Sequence, residues 1–217
     1  MTRLALVLSL VLVARLVAAE PPSFTAEQRA KLERGAVVLE EVSPTDDHGN
    51  AYRSFAVIDA PPRQVWPVVR DCEQLDEFMP RMARAEETER SEDSYVCETE
   101  IELPFPLQNR VNSARSFLEE LPGGGYRRHW SLVSGHGHYR RNDGSWTAYP
   151  WGDDGSQTLL VNFMDIWLET QVPDFVIAGA QTVQAPAVFD AIRERVRTLE
   201  KALAADRPSE VAAPAPR

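Results

Sequence analysis

Two imidazoles one residue apart, in His136-Gly137-His138, form the densest cluster of chemistry-bearing side chains, and His129 and Asp143 nearby would complete a zinc set. The surroundings argue against that use. Gly135 and Gly137 point to a turn, and no cysteine or carboxylate stands at a recognisable ligand spacing, so no metal or other cofactor is expected. Ser134-Gly135 lacks the Gly-x-Ser-x-Gly elbow of a nucleophilic serine. Gly123-Gly124-Gly125 precedes no helix and reads as a hairpin turn rather than a phosphate cradle. Asp46/Asp47 and Asp153/Asp154 lie in turn sequences beside glycine, where solvated carboxylates keep ordinary pKa values. No catalytic residue is assigned from these sets. Asn109-Arg110 is the stronger polar pair, because a guanidinium offers a planar fork of donors suited to carboxylate or phosphate. The competing reading is a surface arginine paired with one of the many acids.

The elements that must position such residues follow from pattern. Thr25 with Gln28 makes a capping box for a helix through about Arg34, which Gly35 ends. Strands over Ala36–Val42 and Ala51–Asp59 flank a turn-rich segment and form a hairpin. Ala60-Pro61-Pro62 stops pairing and starts a helical piece that ends near Pro80, with Val65, Trp66, Val68 and Val69 at helical spacing. Six short strands follow, Ala83–Glu89, Ser94–Leu103, Arg110–Glu119, Tyr126–Ser134, Tyr139–Tyr149 and Thr158–Leu168, at hairpin-length separations that mean an antiparallel meander. In the second of these, Tyr95, Cys97, Thr99, Ile101 and Leu103 share one face, and Glu98, Glu100 and Glu102 the other. From about Pro173 to Leu203 an apolar stripe at helical spacing, with Pro186 set to bend it, supplies a long helix to cover the apolar face. Thr158–Leu168 is apolar on both faces, so its outer face is expected to be covered too, by a homodimer contact or by the N-terminal helix.

The stretch from Phe55 to Met82, strand, double-proline corner and short amphipathic helix, resembles the entry segment of START-like, coenzyme Q-binding-like proteins of the SRPBCC superfamily. Further pieces match in order: Asp71 to Pro80 with its Phe-Met-Pro, Asn109-Arg110, Gly144-Ser145-Trp146, Gly155 to Leu160, and Val172-Pro173-Asp174-Phe175 at the start of the last helix. The resemblance covers about Leu32 to Leu199. It implies an α+β helix-grip fold, a curved antiparallel sheet wrapped around a long C-terminal helix with two short helices after the first strands, and a cavity for a hydrophobic ligand between sheet and helix. A coenzyme Q-like ligand is suggested by the resemblance alone. The fold hosts carriers, cyclases, hydrolases and receptors, so the site must decide.

Tyr95, Ile101, Trp130, Tyr139, Trp146 and Phe175 are expected in the cavity walls, and the small residues Gly179 and Ala180 leave room on the helix. Asn109 and Arg110 would orient a head group. Trp66, Phe117 and Phe163 read as core. A cyclase or hydrolase using the same cavity is the alternative, with Arg110, Tyr139 and His129 as its polar groups. For Cys72 and Cys97 two readings stand. A bridge would close a loop of about 25 residues and stabilise by about 3 kcal/mol. Two separate buried thiols are favoured, since Cys97 falls on the cavity face, away from the helix end.

Met1-Thr2-Arg3, the apolar run Leu4–Val17 and Val17-Ala18-Ala19 read as a signal peptide over 1–19, with an uncleaved anchor as the lesser alternative. Export to a periplasm or beyond is expected. Cleavage removes two arginines and no acid, taking the formal net charge from −10 to −12. With its basic residues scattered among acids, the chain has no stripe for nucleic acid. Residues 20–203 make one domain, and 204–217 read as a disordered tail rich in Ala and Pro. The composite expectation is an exported carrier of a lipid, isoprenoid, quinone or polyketide-like molecule, in transient contact with a membrane when it loads.

Overall fold

The computed structural model describes residues 21–46, 48–103, 105, 108–169 and 174–205, with side chains of the last helix from residue 183 onward. The expected signal segment and the tail beyond Ala205 lie outside the described residues. The chain runs α1 (Ala26–Glu33), β1 (Val38–Val42), β2 (Asn50–Ile58), α2 (Pro62–Arg70), α3 (Leu75–Phe78), β3 (Met82–Arg90), β4 (Ser94–Ile101), β5 (Arg110–Leu121), β6 (Gly125–Ser134), β7 (Tyr139–Trp151), β8 (Gln157–Leu168) and α4 (Asp174–Ala205). All strands join one antiparallel 8-stranded sheet in the order β1-β2-β8-β7-β6-β5-β4-β3. The polypeptide leaves β2, crosses through α2 and α3 to the far edge, and meanders back until β8 pairs with β2. The helix-grip architecture is therefore present, with α4 two residues longer than the expected end at Leu203.

Sequence chemistry accounts for the main joints. Thr25 and Gln28 form the capping box, each side chain bonding the other's backbone N–H. Pro61 caps α2 and Pro62 occupies its first turn, where a missing N–H costs nothing. Val65, Val68 and Val69 are buried with Trp66, which stacks on Tyr126 at 5.3 Å. They pack with Phe189, Ile192 and Val196 of α4 on the inner sheet residues Ala56, Ile58, Trp146, Ala148 and Leu160. This cluster closes one end of the wedge between sheet and helix, and each large side chain in it contributes about 1.5–3 kcal/mol of burial.

The outer face of β8 is covered by the N-terminal helix: Leu32 and Phe24 pack with Phe55, Val57, Leu159 and Val161. Further along that face, Arg141 and Asp165, 8% and 0% exposed, form a buried ion pair at 2.8 Å. Arg141 reaches on to Asp46 at 2.8 Å and donates to the His48 carbonyl, while the Thr45 N–H and hydroxyl both donate to Asp165. The β1–β2 turn is thereby latched onto β7 and β8. Asp46 is thus more than a solvated turn former, and its hydrogen bond from Arg141 holds its carboxyl below the usual range. Asp154 does serve its turn, accepting from the Ser156 N–H. Phe117 departs from its expected core role: it sits 37% exposed on the outer face, stacked on His129.

Cys72 and Cys97 are bridged, with Cα atoms 6.0 Å apart, so the separate-thiol reading fails. The cause is the fold of the α2–α3 corner. Tyr95 donates its hydroxyl to the Arg70 carbonyl, pinning the end of α2 over β4, and the residues two positions on in each segment are Cys72 and Cys97.

Candidate ligand cavity

The inner face of the sheet is built by period-two alternation in register. Trp130 of β6 stands opposite Gly144 of β7, itself opposite Met164 of β8 and, beyond it, Tyr52 of β2. The next row holds Arg128, Trp146, Asn162 and Ser54. Gly144 is required by a close approach. A Cβ there would lie 2.4 Å from Trp130 Cζ2 and 2.5 Å from the Phe163 carbonyl oxygen, so the absent side chain lets the indole lie across β7.

Between this face, the α3 corner and α4 lies a cavity of about 290 Å³. At about 30 Å³ per water it has room for about ten waters, near the lower end of small-molecule sites. Its apolar walls include Leu75, Met79, Met82, Ile101, Trp130, Trp146 and Val188. Arg81, at φ 60, makes the sharp left-handed turn that sets Met79, Pro80 and Met82 against the opening of β3.

The polar groups are few and placed. Asn112 donates to Thr99 at 2.8 Å, and Asn162 donates to the Ser145 carbonyl at 3.3 Å. Asn142 keeps its Oδ1 sealed from solvent with no hydrogen-bond partner among the described residues. Tyr52 lines the cavity, and burial, with Tyr139 close by, pushes its hydroxyl up to about 12. Burial likewise raises Tyr139, against the opposing pull of Arg110. Arg128 lies at the inner end, 6% exposed. Its Nε donates to Ser116 Oγ at 3.0 Å and its Nη1 to the Val69 carbonyl at 3.1 Å.

Of the residues expected at the site, Ile101, Trp130, Tyr139 and Trp146 line the cavity. Tyr95 does not: it points to the same side as Cys97 but is 1% exposed beneath α2, its hydroxyl spent on Arg70. Asn109 turns to Glu100, donating at 2.7 Å, and is outside the lining. Arg110 is also outside it, at the far end of β5 opposite Ile101, on the inward register with Asn112 and Ala114. The side chains of Phe175, Gly179 and Ala180 lie outside the described residues. His129 faces outward with Phe117, so Arg110, Tyr139 and His129 are not brought together. His136 binds Ser113 and Glu98, and His138 Nδ1 accepts from the Val111 N–H, both as fastenings of the β6–β7 turn.

Arg128, Tyr52, Asn142 and Asn162 are lining residues that the sequence reading passed over. For Arg128 the signal was present: with Trp130 placed inward, period two puts Arg128 beside it.

A curved sheet closed by a long helix, over an apolar cavity with a handful of fixed polar groups, is the helix-grip fold. Residues 58–184, more than half of the 217, match the family described as polyketide cyclase / dehydrase and lipid transport, and the chain belongs to that family. Solved structures with the same fold include a STAR-related lipid transfer protein from Xanthomonas axonopodis, 18% identical over 74% of this chain and 93% of that one, TM-score 0.63. Human StAR-related lipid transfer protein 5 is 15% identical over 81% of this chain and 94% of its own, TM-score 0.65. The Zhui aromatase/cyclase from Streptomyces sp. R1128 is 14% identical over 76% and 98%, TM-score 0.56. Comparison with curated protein sequences gives no match.

Proposed function

We propose that this protein is an exported carrier that holds an apolar or amphipathic small molecule, a lipid, isoprenoid, quinone or polyketide-like body, between its sheet and α4. The carrying observation is the cavity of about 290 Å³, walled by Trp130, Trp146 and aliphatic side chains. Burial of ligand surface there contributes about 25 cal/mol per Å². Movement of α4 or a flanking loop admits and releases the ligand. Arg110, inward-facing at the open end of β5, meets the ligand's polar end as it enters. Phe105, 97% exposed in the β4–β5 loop, suits contact with a membrane during loading. Export is supported by the leader-like residues 1–19 and by the Cys72–Cys97 bridge, since such bridges persist in oxidising compartments.

The cyclase alternative finds less support, because its polar set is split between two faces of the sheet. The test is native mass spectrometry of the mature protein taken from its own compartment, followed by denaturing release. A stoichiometric hydrophobic adduct supports the carrier. A bare polypeptide mass in every preparation, with no uptake of added lipid, overturns it.

A further inference from the structure

Two arginines among the described residues are less than 9% exposed, Arg128 at 6% and Arg141 at 8%, and they are treated differently. Arg141 sits between two carboxylates, Asp165 and Asp46, each at 2.8 Å. Arg128 has no carboxylate partner among the described residues. Its two hydrogen bonds go to a hydroxyl and a carbonyl, and neither neutralises its charge. Its guanidinium carbon lies 5.4 Å from the Tyr95 ring and 5.3 Å from the Trp130 ring, so aromatic faces supply part of what a carboxylate would. The Val69 carbonyl, at the negative end of α2, supplies a little more. A buried cation carries a large desolvation penalty, and an anion within reach would offset part of it.

Arg128 also lines the cavity, and its Nη2 makes no hydrogen bond to a described residue. A second polar group in the same wall, the Asn142 carboxamide, has its Oδ1 buried without a partner. Asn142 stands four residues along β7 from Trp146, the register partner of Arg128, about 13 Å away along the strand.

From these observations we infer that the carried molecule is an amphipathic anion, seated with its carboxylate, sulfonate or phosphate on Arg128 at the inner end and its apolar body along Trp130 and Trp146. This rests on the carrier reading and adds the charge and orientation of the ligand. The formal net charge of −10 works against any such preference, so an anion that binds must meet a local cation.

Two probes with one aromatic body separate the terms: 1-anilinonaphthalene-8-sulfonate, an anion, and N-phenyl-1-naphthylamine, its neutral counterpart. The folded protein should bind the anion at least about 10-fold more tightly. Arg128→Met should weaken the anion about 10- to 100-fold, the range of a hydrogen bond between charged groups, and move the neutral probe less than about threefold. Arg127→Met removes the same charge from the next residue, which faces the outer groove, and should change neither. Each variant is checked by circular dichroism and thermal melting.

Failure of both probes to bind the native protein overturns the carrier reading itself. Equal binding of both, or equal weakening of both by Arg128→Met, overturns the anion assignment and leaves the carrier standing. An Arg127→Met effect as large as that of Arg128→Met also overturns it, as a long-range field. If Arg128→Met does not fold, Arg128→Lys and the native preference decide: a preference at or below unity refutes the assignment.

Discussion

Reduction of the Cys72–Cys97 bridge should lower stability by an amount that the closed loop sets. The residues are 25 apart in sequence, and loop-closure entropy for that length gives about 3.5 kcal/mol at room temperature. Non-covalent contacts hold the same corner: Tyr95 donates to the Arg70 carbonyl, and Leu75 and Ala85 pack in one cluster with both cysteines. The loss should therefore appear through the unfolded chain, freed to occupy more conformations. With a urea dependence of about 2–3 kcal/mol per molar, the midpoint should fall by about 1.2–1.7 M, and the slope should rise as the open chain exposes more surface. Tryptophan fluorescence in urea, with and without dithiothreitol, measures both, and the Cys72→Ala/Cys97→Ala double variant is the control against reductant effects. Two reactive thiols in the denatured, unreduced protein would refute the bridge. A midpoint shift below about 0.3 M, with no free thiol before reduction, would refute the account through chain entropy.

Asp165→Ala should cost about 3–5 kcal/mol, because it strands the buried Arg141 guanidinium and frees the Thr45 turn; replacement of both residues by apolar ones should recover much of the loss in a urea melt. Tyr52 gives a pH signature. Its hydroxyl titrates near 12 when folded and near 10 when unfolded, so its contribution is full below pH 10 and is lost as pH rises toward 12, a fall of about 3 kcal/mol. Tyr52→Phe should flatten stability over that window, and an unchanged slope would remove Tyr52 from the account.

The order and type of the elements were legible in the chain, because each was signalled by local chemistry. Thr25 and Gln28 cap α1, Pro61-Pro62 starts α2, and the alternation of β4 places Cys97, Thr99 and Ile101 on one side. Ile101, Trp130, Tyr139 and Trp146 could be set on the cavity face from such patterns. The choice of arginine could not. Arg110 and Arg128 are both donor forks on strands, and local sequence gives no measure of their depth in the fold. That depends on α2 packing across β6 and β7 with its end reaching β4, which buries Arg128 under the Val69 carbonyl, takes Tyr95 out of the cavity and closes the cysteine bridge. The latch from Arg141 to Asp165 and Asp46 is likewise a product of register between β7, β8 and a distant turn. Periodicity and capping act over a few residues and are written in the chain. Which charge is buried, and whether it meets a partner, is decided by contacts among segments far apart in sequence, and only the packed structure contains them.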